Sequence, residues 1–348
     1  HAVLALSRPL SHLGCEDIFH VHMKRYQIVR ESLVHRIRPI TVTGISHNIW
    51  AQVQGHSDVE VDSCFDCTPE PSTLRCSASK VPIHLPMEEN MRLSPFRALR
   101  PNTQRVEEVA CPPYDVINTA EARSLAKGKP GSFLHVIRPE INEGVGASTD
   151  LYQEAAQQLA RLQQEEALVG EEKEALWLYR LVMDGREQVG VVGCAEVDAY
   201  AAGTIKRHEF TRPDKEDDRT KHVDTVSAHT GPVFLACKST EGLNALQSEW
   251  LKRSPFFDFT ADDGIRHTLW KIDEGTELAR AAKEYAAIDA FYIADGHHRA
   301  ASANRVRDLR RNSGTNSDSS ERFLVVVFPE DQLEILAYNR VVADLNGK

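Results

Sequence analysis

The segment Tyr292-Ile-Ala-Asp-Gly-His-His-Arg-Ala-Ala-Ser302 constrains this chain more than any other. Residues 290–294 read as a short buried strand. They run straight into Asp295-Gly296 and then a helix over residues 297–311, where Ala300, Ala301, Ala303 and Val306 form a small-residue face. The first turn of that helix carries His297, His298 and Arg299. A helix start offers N–H groups and the positive end of a dipole, and with an adjacent arginine it forms a site for phosphate. Gly296 would let the backbone approach a ligand closely. Arg299 can hold phosphate oxygens bidentately, and His297 and His298 can donate hydrogen bonds to developing charge. The competing reading is a capped helix with surface histidines.

The elements around this segment place the chain among mixed α/β or α+β folds. Residues 176–183 and 188–197 predict a hairpin across Asp184-Gly185, because Asp-Gly tolerates the positive φ angles of a two-residue turn. Strands are also expected over 132–138, stopped by Pro139, over 267–272, and in a second hairpin of residues 322–328 and 333–338. Helices are expected from Thr149 or Asp150 as N-cap to about residue 169, over 241–253 and over 277–287. Residues 312–320 have a loop composition. In Cys111-Pro-Pro-Tyr-Asp115 two prolines hold extended backbone, which either presents Tyr114 and Asp115 on a rigid loop or serves as a plain connection. Trp177 and Tyr179 read as packing residues.

A second segment could carry chemistry: Ile205-Lys-Arg-His-Glu-Phe-Thr-Arg-Pro-Asp-Lys-Glu-Asp-Asp-Arg-Thr-Lys-His222. Residues 215–218 read as a solvated loop. Glu209 could serve as a general base or metal ligand, and Arg207, Lys215 and Arg219, with His208, could bind phosphate or a carboxylate. Carboxylate, imidazole and cation together suit phosphoryl transfer, where catalysis is mostly positioning and charge stabilisation. A metal-assisted hydrolase would use His208, Glu209, Asp295 and His297, so the residues alone leave both open.

Composition narrows the partners. The 348 residues carry 41 basic and 51 acidic side chains, a formal charge of -10. Residues 91–348 keep 33 and 41 of these, so the acidic balance belongs to the later part of the chain. That argues against nucleic acid or an anionic membrane surface as the main partner. No apolar run approaches the ~18 residues of a bilayer span, and no secretory leader pattern stands at the start. A cytoplasmic protein is the expectation.

Residues 1–90 differ from the rest. They hold four of the seven cysteines and eight of the 15 histidines but only three of the 19 glycines. They read as a leader outside the native domain, with Met87 or Met91 the expected native start. Cys64, Cys67, Cys76 and His84 are possible zinc ligands, but their spacing fits no compact zinc module, and incidental thiols are the expectation.

Several motifs in order resemble a prokaryotic family known as domain of unknown function ten-fifteen. They are Phe96-Arg-Ala-Leu-Arg-Pro101, Cys111-Pro-Pro-Tyr-Asp115, Ser132-Phe-Leu-His-Val-Ile-Arg-Pro-Glu140, Lys206-Arg-His-Glu-Phe-Thr211, Asp295-Gly-His-His-Arg299 and Ala337-Tyr-Asn-Arg-Val-Val342. The resemblance covers residues 91–348, and it implies that the family domain continues past the last residue here. More distantly, Asp-Gly-His-His-Arg is similar to the phosphate-binding motif of the ParB and sulfiredoxin superfamily, which includes nucleotide-dependent kinases of free serine. That likeness implies a ParB/sulfiredoxin-like nucleotide-binding core within residues 200–348. It puts Asp295, Gly296, His297, His298 and Arg299 around the phosphates of ATP or ADP with Mg²⁺, and makes Glu209 the base toward a small hydroxyl-bearing substrate. Glu209, Asp295 and His297 are the expected catalytic residues; Arg207, His208, Lys215 and Arg219 are expected to assist in binding, and none of the set is assigned as a metal ligand. Sulfiredoxin chemistry needs a cysteine where His297 or His298 stands, and ParB-type DNA binding needs a basic recognition helix that is missing from this sequence. The expected function is therefore a nucleotide-dependent small-molecule phosphotransferase. The alternatives are a nucleotide-binding regulator without catalysis and a metal-dependent phosphohydrolase.

Overall fold

The computed structural model describes residues 91–334 except residue 147, together with the two-residue strand Ala2–Val3 (β1). Cys64, Cys67, Cys76 and His84, the 337–342 motif and most of the expected 333–338 strand lie outside the described residues. Among the described residues the fold is mixed α/β.

A small sheet joins β1 in parallel to β2 (Ala98–Pro101), which pairs antiparallel with β3 (Leu168–Gly170). The larger sheet has eight strands: β4 (Leu176–Met183), β5 (Arg186–Glu196), β6 (Ile205–Lys206), β7 (Val233–Cys237), β8 (Phe257–Thr260), β9 (Arg266–Ile272), β10 (Phe291–Asp295) and β11 (Arg322–Pro329). Their order is β6-β10-β7-β11-β5-β4-β9-β8, with only β6–β10 and β7–β11 parallel. Because β5 and β4 continue the sheet beside β11, residues 200–348 do not form a separate sheet.

Both faces of this sheet are covered, so its middle strands are continuous apolar runs. In β11, Phe323, Val325 and Val327 enter one core while Leu324, Val326 and Phe328 enter the other. The first core is closed by α5 (Val197–Ala201), α7 (Glu241–Trp250), α8 (Gly275–Ala286) and α9 (His297–Ser313), through residues such as Tyr200, Trp250, Tyr285 and Ala300. The second takes Phe96, Val106 and the Phe257 and Phe259 rings. A third core lies among α1 (Val106–Val109), α2 (Thr119–Ala126), α3 (Leu134–Ile137) and α4 (Leu151–Gln164), and it reaches Val226 of α6 (Pro213–Val226).

The Asp-Gly hairpin forms as the sequence predicts, with φ of 52° at Asp184 and 79° at Gly185. Three expectations are corrected. Residues 132–138 are not a strand but the four-residue α3, since Leu134, Val136 and Ile137 are all buried and alternation has no exposed side to show. The charge-dense 215–218 stretch is not a loop but part of α6, which begins with Pro213 at its first position and Asp214 and Glu216 in its first turn. The helix capped by Asp150 stops at Gln164, short of residue 169, and Leu168–Gly170 turns into β3. Among the described residues no helix is long and apolar enough to cross a membrane.

Candidate functional site

The site forms where β10 ends. Phe291 and Ile293 are buried and anchor the strand, and Gly296 turns the chain at φ 93° into α9. A Cβ at residue 296 would lie 2.8 Å from the Arg299 Nε, so glycine is required both for the backbone angle and for space. No side chain caps α9, and the first N–H groups of a helix have no carbonyl one turn earlier to bond.

The edge strand β6 runs parallel to β10, with Ile205 opposite Phe291 and Lys206 opposite Tyr292. That register carries His208 and Glu209 alongside the end of β10, although some 88 residues separate them in sequence. A Glu209 carboxylate oxygen lies 3.2 Å from His297 Nδ1, and the His208 and His297 rings meet edge to face at 4.3 Å. His297 is buried, while Glu209 is about half exposed. The sequence reading required these two segments to meet, and they do.

Burial pulls the His208 imidazole below its usual range. The charges of Glu209 and Asp295 and a hydrogen bond with the Ile293 backbone oppose that shift. For Arg299, burial disfavours the charge, but the Asp295 and Asp115 carboxylates outweigh it and hold the guanidinium protonated. Its Nη2 donates to Asp295 Oδ2 at 2.6 Å, and its Nη1 stands 3.9 Å from Asp115 Oδ2.

The expected phosphate ligands are thus redistributed. Arg299 is first a partner of Asp295, and His298 Nε2 accepts the Arg212 backbone N–H at 3.1 Å, which aims that ring at the start of α6. Arg219 is bound to Asp218 and its guanidinium lies 4.2 Å from the centre of the Tyr114 ring. Arg207 stacks on Tyr200 at 4.9 Å. Lys215 is exposed on the first turn of α6. What remains where β6 meets the start of α9 is His208, Glu209, Gly296, His297 and the backbone of α9, with Asp295 held by Arg299 beside them.

The Cys111-Pro-Pro-Tyr-Asp115 loop is more than a connection. Arg138 donates to the Tyr114 and Ile117 carbonyls at 2.7 and 2.9 Å, and so pins the loop with Asp115 toward Arg299. Arg138, which sequence reasoning treated as the last residue of a strand stopped by Pro139, therefore supports the site. Phe210, next to Glu209, is fully exposed and was also passed over. A large apolar side chain inside a charge run was the available signal for it.

The fold and this cluster define an α/β protein with a polar site at the junction of a parallel strand pair and a helix start. The family described as protein of unknown function (DUF1015) matches residues 93–348, and the chain belongs to that family. No curated protein and no solved structure matches the chain.

Proposed function

We propose that this protein is a nucleotide-dependent small-molecule phosphotransferase on a ParB/sulfiredoxin-like core, with free serine the first acceptor to test. The carrying observation is the Glu209 carboxylate 3.2 Å from His297, the first residue of an uncapped helix start. The helix start and Gly296 fit a phosphate chain, since backbone N–H groups and the dipole favour anionic oxygens and a missing Cβ leaves room. ATP or ADP with Mg²⁺ would supply the transferable phosphoryl group, and Asp295 is the oxygen donor closest in sequence to that turn. Glu209, half exposed, would accept a proton from an entering hydroxyl, and the His297 contact would hold that carboxylate in position. Fully exposed Phe210, the residue after Glu209, offers a flat apolar face to such a substrate.

The test is production of phosphoserine, read by mass spectrometry, from ATP or ADP, Mg²⁺ and serine, with Glu209→Gln as the comparison. Wild-type turnover reduced at least about a hundredfold in Glu209→Gln supports general-base catalysis. Equal turnover in both removes Glu209 from the chemistry. Nucleotide binding without product would favour the regulatory reading.

A further inference from the structure

We infer that His208, Glu209 and His297 form a binding site for a divalent transition metal of the zinc class, distinct in chemistry from the Mg²⁺ that accompanies a nucleotide. Each of the three offers one ligand atom, and these atoms all lie within 4.8 Å of one another, the only such group among the described residues. A tetrahedral ion with bonds of about 2.1 Å holds its ligands about 3.4 Å apart. The Glu209–His297 pair already stands at 3.2 Å, so closure asks only for a small movement at the exposed side of the cluster.

The donor set selects the ion. Two imidazoles and one carboxylate suit Zn²⁺, Co²⁺, Ni²⁺ or Fe²⁺, whereas Mg²⁺ prefers oxygen ligands and keeps its waters. The His208 ring also packs edge to face on the His297 ring at 4.3 Å, which holds the two imidazoles side by side. The buried His297 lies on the inner side of the cluster and the half-exposed Glu209 on the outer, so a fourth ligand would reach the ion from the Glu209 side. Three protein ligands and one open position are the arrangement of a reactive zinc centre and not of a closed structural one.

The site stands whether or not phosphoryl transfer occurs, because its readout is binding. One consequence does rest on the proposed function: an ion held by Glu209 takes away the base, so zinc should suppress turnover that Mg²⁺ supports.

The test is titration of the metal-free full chain with Co²⁺ and Zn²⁺, followed by visible absorption and calorimetry, for the wild type and for His208→Ala, Glu209→Gln and His297→Ala. The wild type should bind one ion at this site with the visible bands of tetrahedral nitrogen and oxygen coordination. Each substitution should weaken binding at least about tenfold, the loss seen even when only outer-shell partners are removed. His208→Ala and Glu209→Gln alter partly exposed side chains, so they decide the matter even if the buried His297→Ala fails to fold. Binding unchanged in those two variants, an intense thiolate-to-cobalt band that marks cysteine ligands, or no binding at all would each overturn the proposal.

Discussion

The two ends of the large sheet are built on opposite plans. At the β4–β9–β8 end, β4 meets β9 through seven residue pairs from Leu176↔Ile272 to Val182↔Arg266. Most of its charged groups pair with one another: Glu171 takes both Arg100 at 2.5 Å and Lys271 at 2.6 Å, Arg266 holds Asp258 through two hydrogen bonds, and Tyr179 meets His267 at 2.8 Å, while the buried Trp177 Nε1 and Arg180 Nε have no hydrogen-bond partner among the described residues. At the β6–β10 end, β6 is joined by two residue pairs, and the polar groups gather near the surface with Glu209 half exposed and Phe210 fully so. A sheet end that satisfies its own charges is a scaffold. One that gathers a carboxylate and two imidazoles near its surface is where the proposed ligand would bind.

This contrast makes stability and function separable. The largest effect is expected in the scaffold: Trp177→Ala, at a side chain with no exposure, should cost about 3–5 kcal/mol in urea unfolding. A loss below ~1 kcal/mol would show that this end is not the better packed.

Next comes acidity beneath the site. His222 on α6 is buried, its Nε2 meets the Val136 carbonyl, and burial, with Arg219 nearby, lowers its pKa to about 4. The unfolded side chain titrates near ~6.5, so the unfolded state binds the proton first as pH falls. The contribution is complete above ~6.5 and is lost progressively toward pH 4, reaching about 3 kcal/mol. Unfolding free energies of the wild type and His222→Gln across pH 7.5 to 4 should diverge at the high end and converge at the low end; parallel curves would refute the assignment.

A glycine pair sharpens the comparison. Gly296→Ala and Gly185→Ala both place a Cβ at positive φ, at 93° and 79°, and each should lose about 1–2 kcal/mol from backbone strain. Only the first also drives a Cβ against Arg299, since nothing lies within 4 Å at Gly185. Gly296→Ala should therefore be the more destabilised in thermal melts, and it alone should weaken binding at the site. The smallest effect is expected for Glu209→Gln, which should stay within about 0.5 kcal/mol of wild type while abolishing the proposed activity. A large stability change there would recast Glu209 as structural.

The elements that could be read from sequence were those with local punctuation: Asp184-Gly185, the Asp150 cap, and the strand ending at Asp295-Gly296. Val233–Cys237 went unread because all five residues are buried, and a short apolar run without an exposed side has no period to count. The same blindness turned α3 into an expected strand. Within the site, residue types were legible and partners were not. Nothing near Arg299 in sequence announces Asp115, and nothing near His298 announces the Arg212 backbone, so both were given to phosphate. The meeting of Glu209 with His297 depends on a parallel pairing across some 88 residues, a long-range fact that local pattern cannot carry.

That pairing has a kinetic meaning. β6 is an edge strand fastened by two residues, and short edge elements open at far lower free energy than the core beside them. Opening of β6 would carry Glu209 and His208 away from the helix start and would expose the buried Ile205, while β10 and α9 stay packed. A ligand that bridged the two halves would hold this edge of the sheet closed. Amide exchange at residues 205 and 206 should slow when such a ligand binds, while exchange in β11 stays as it was.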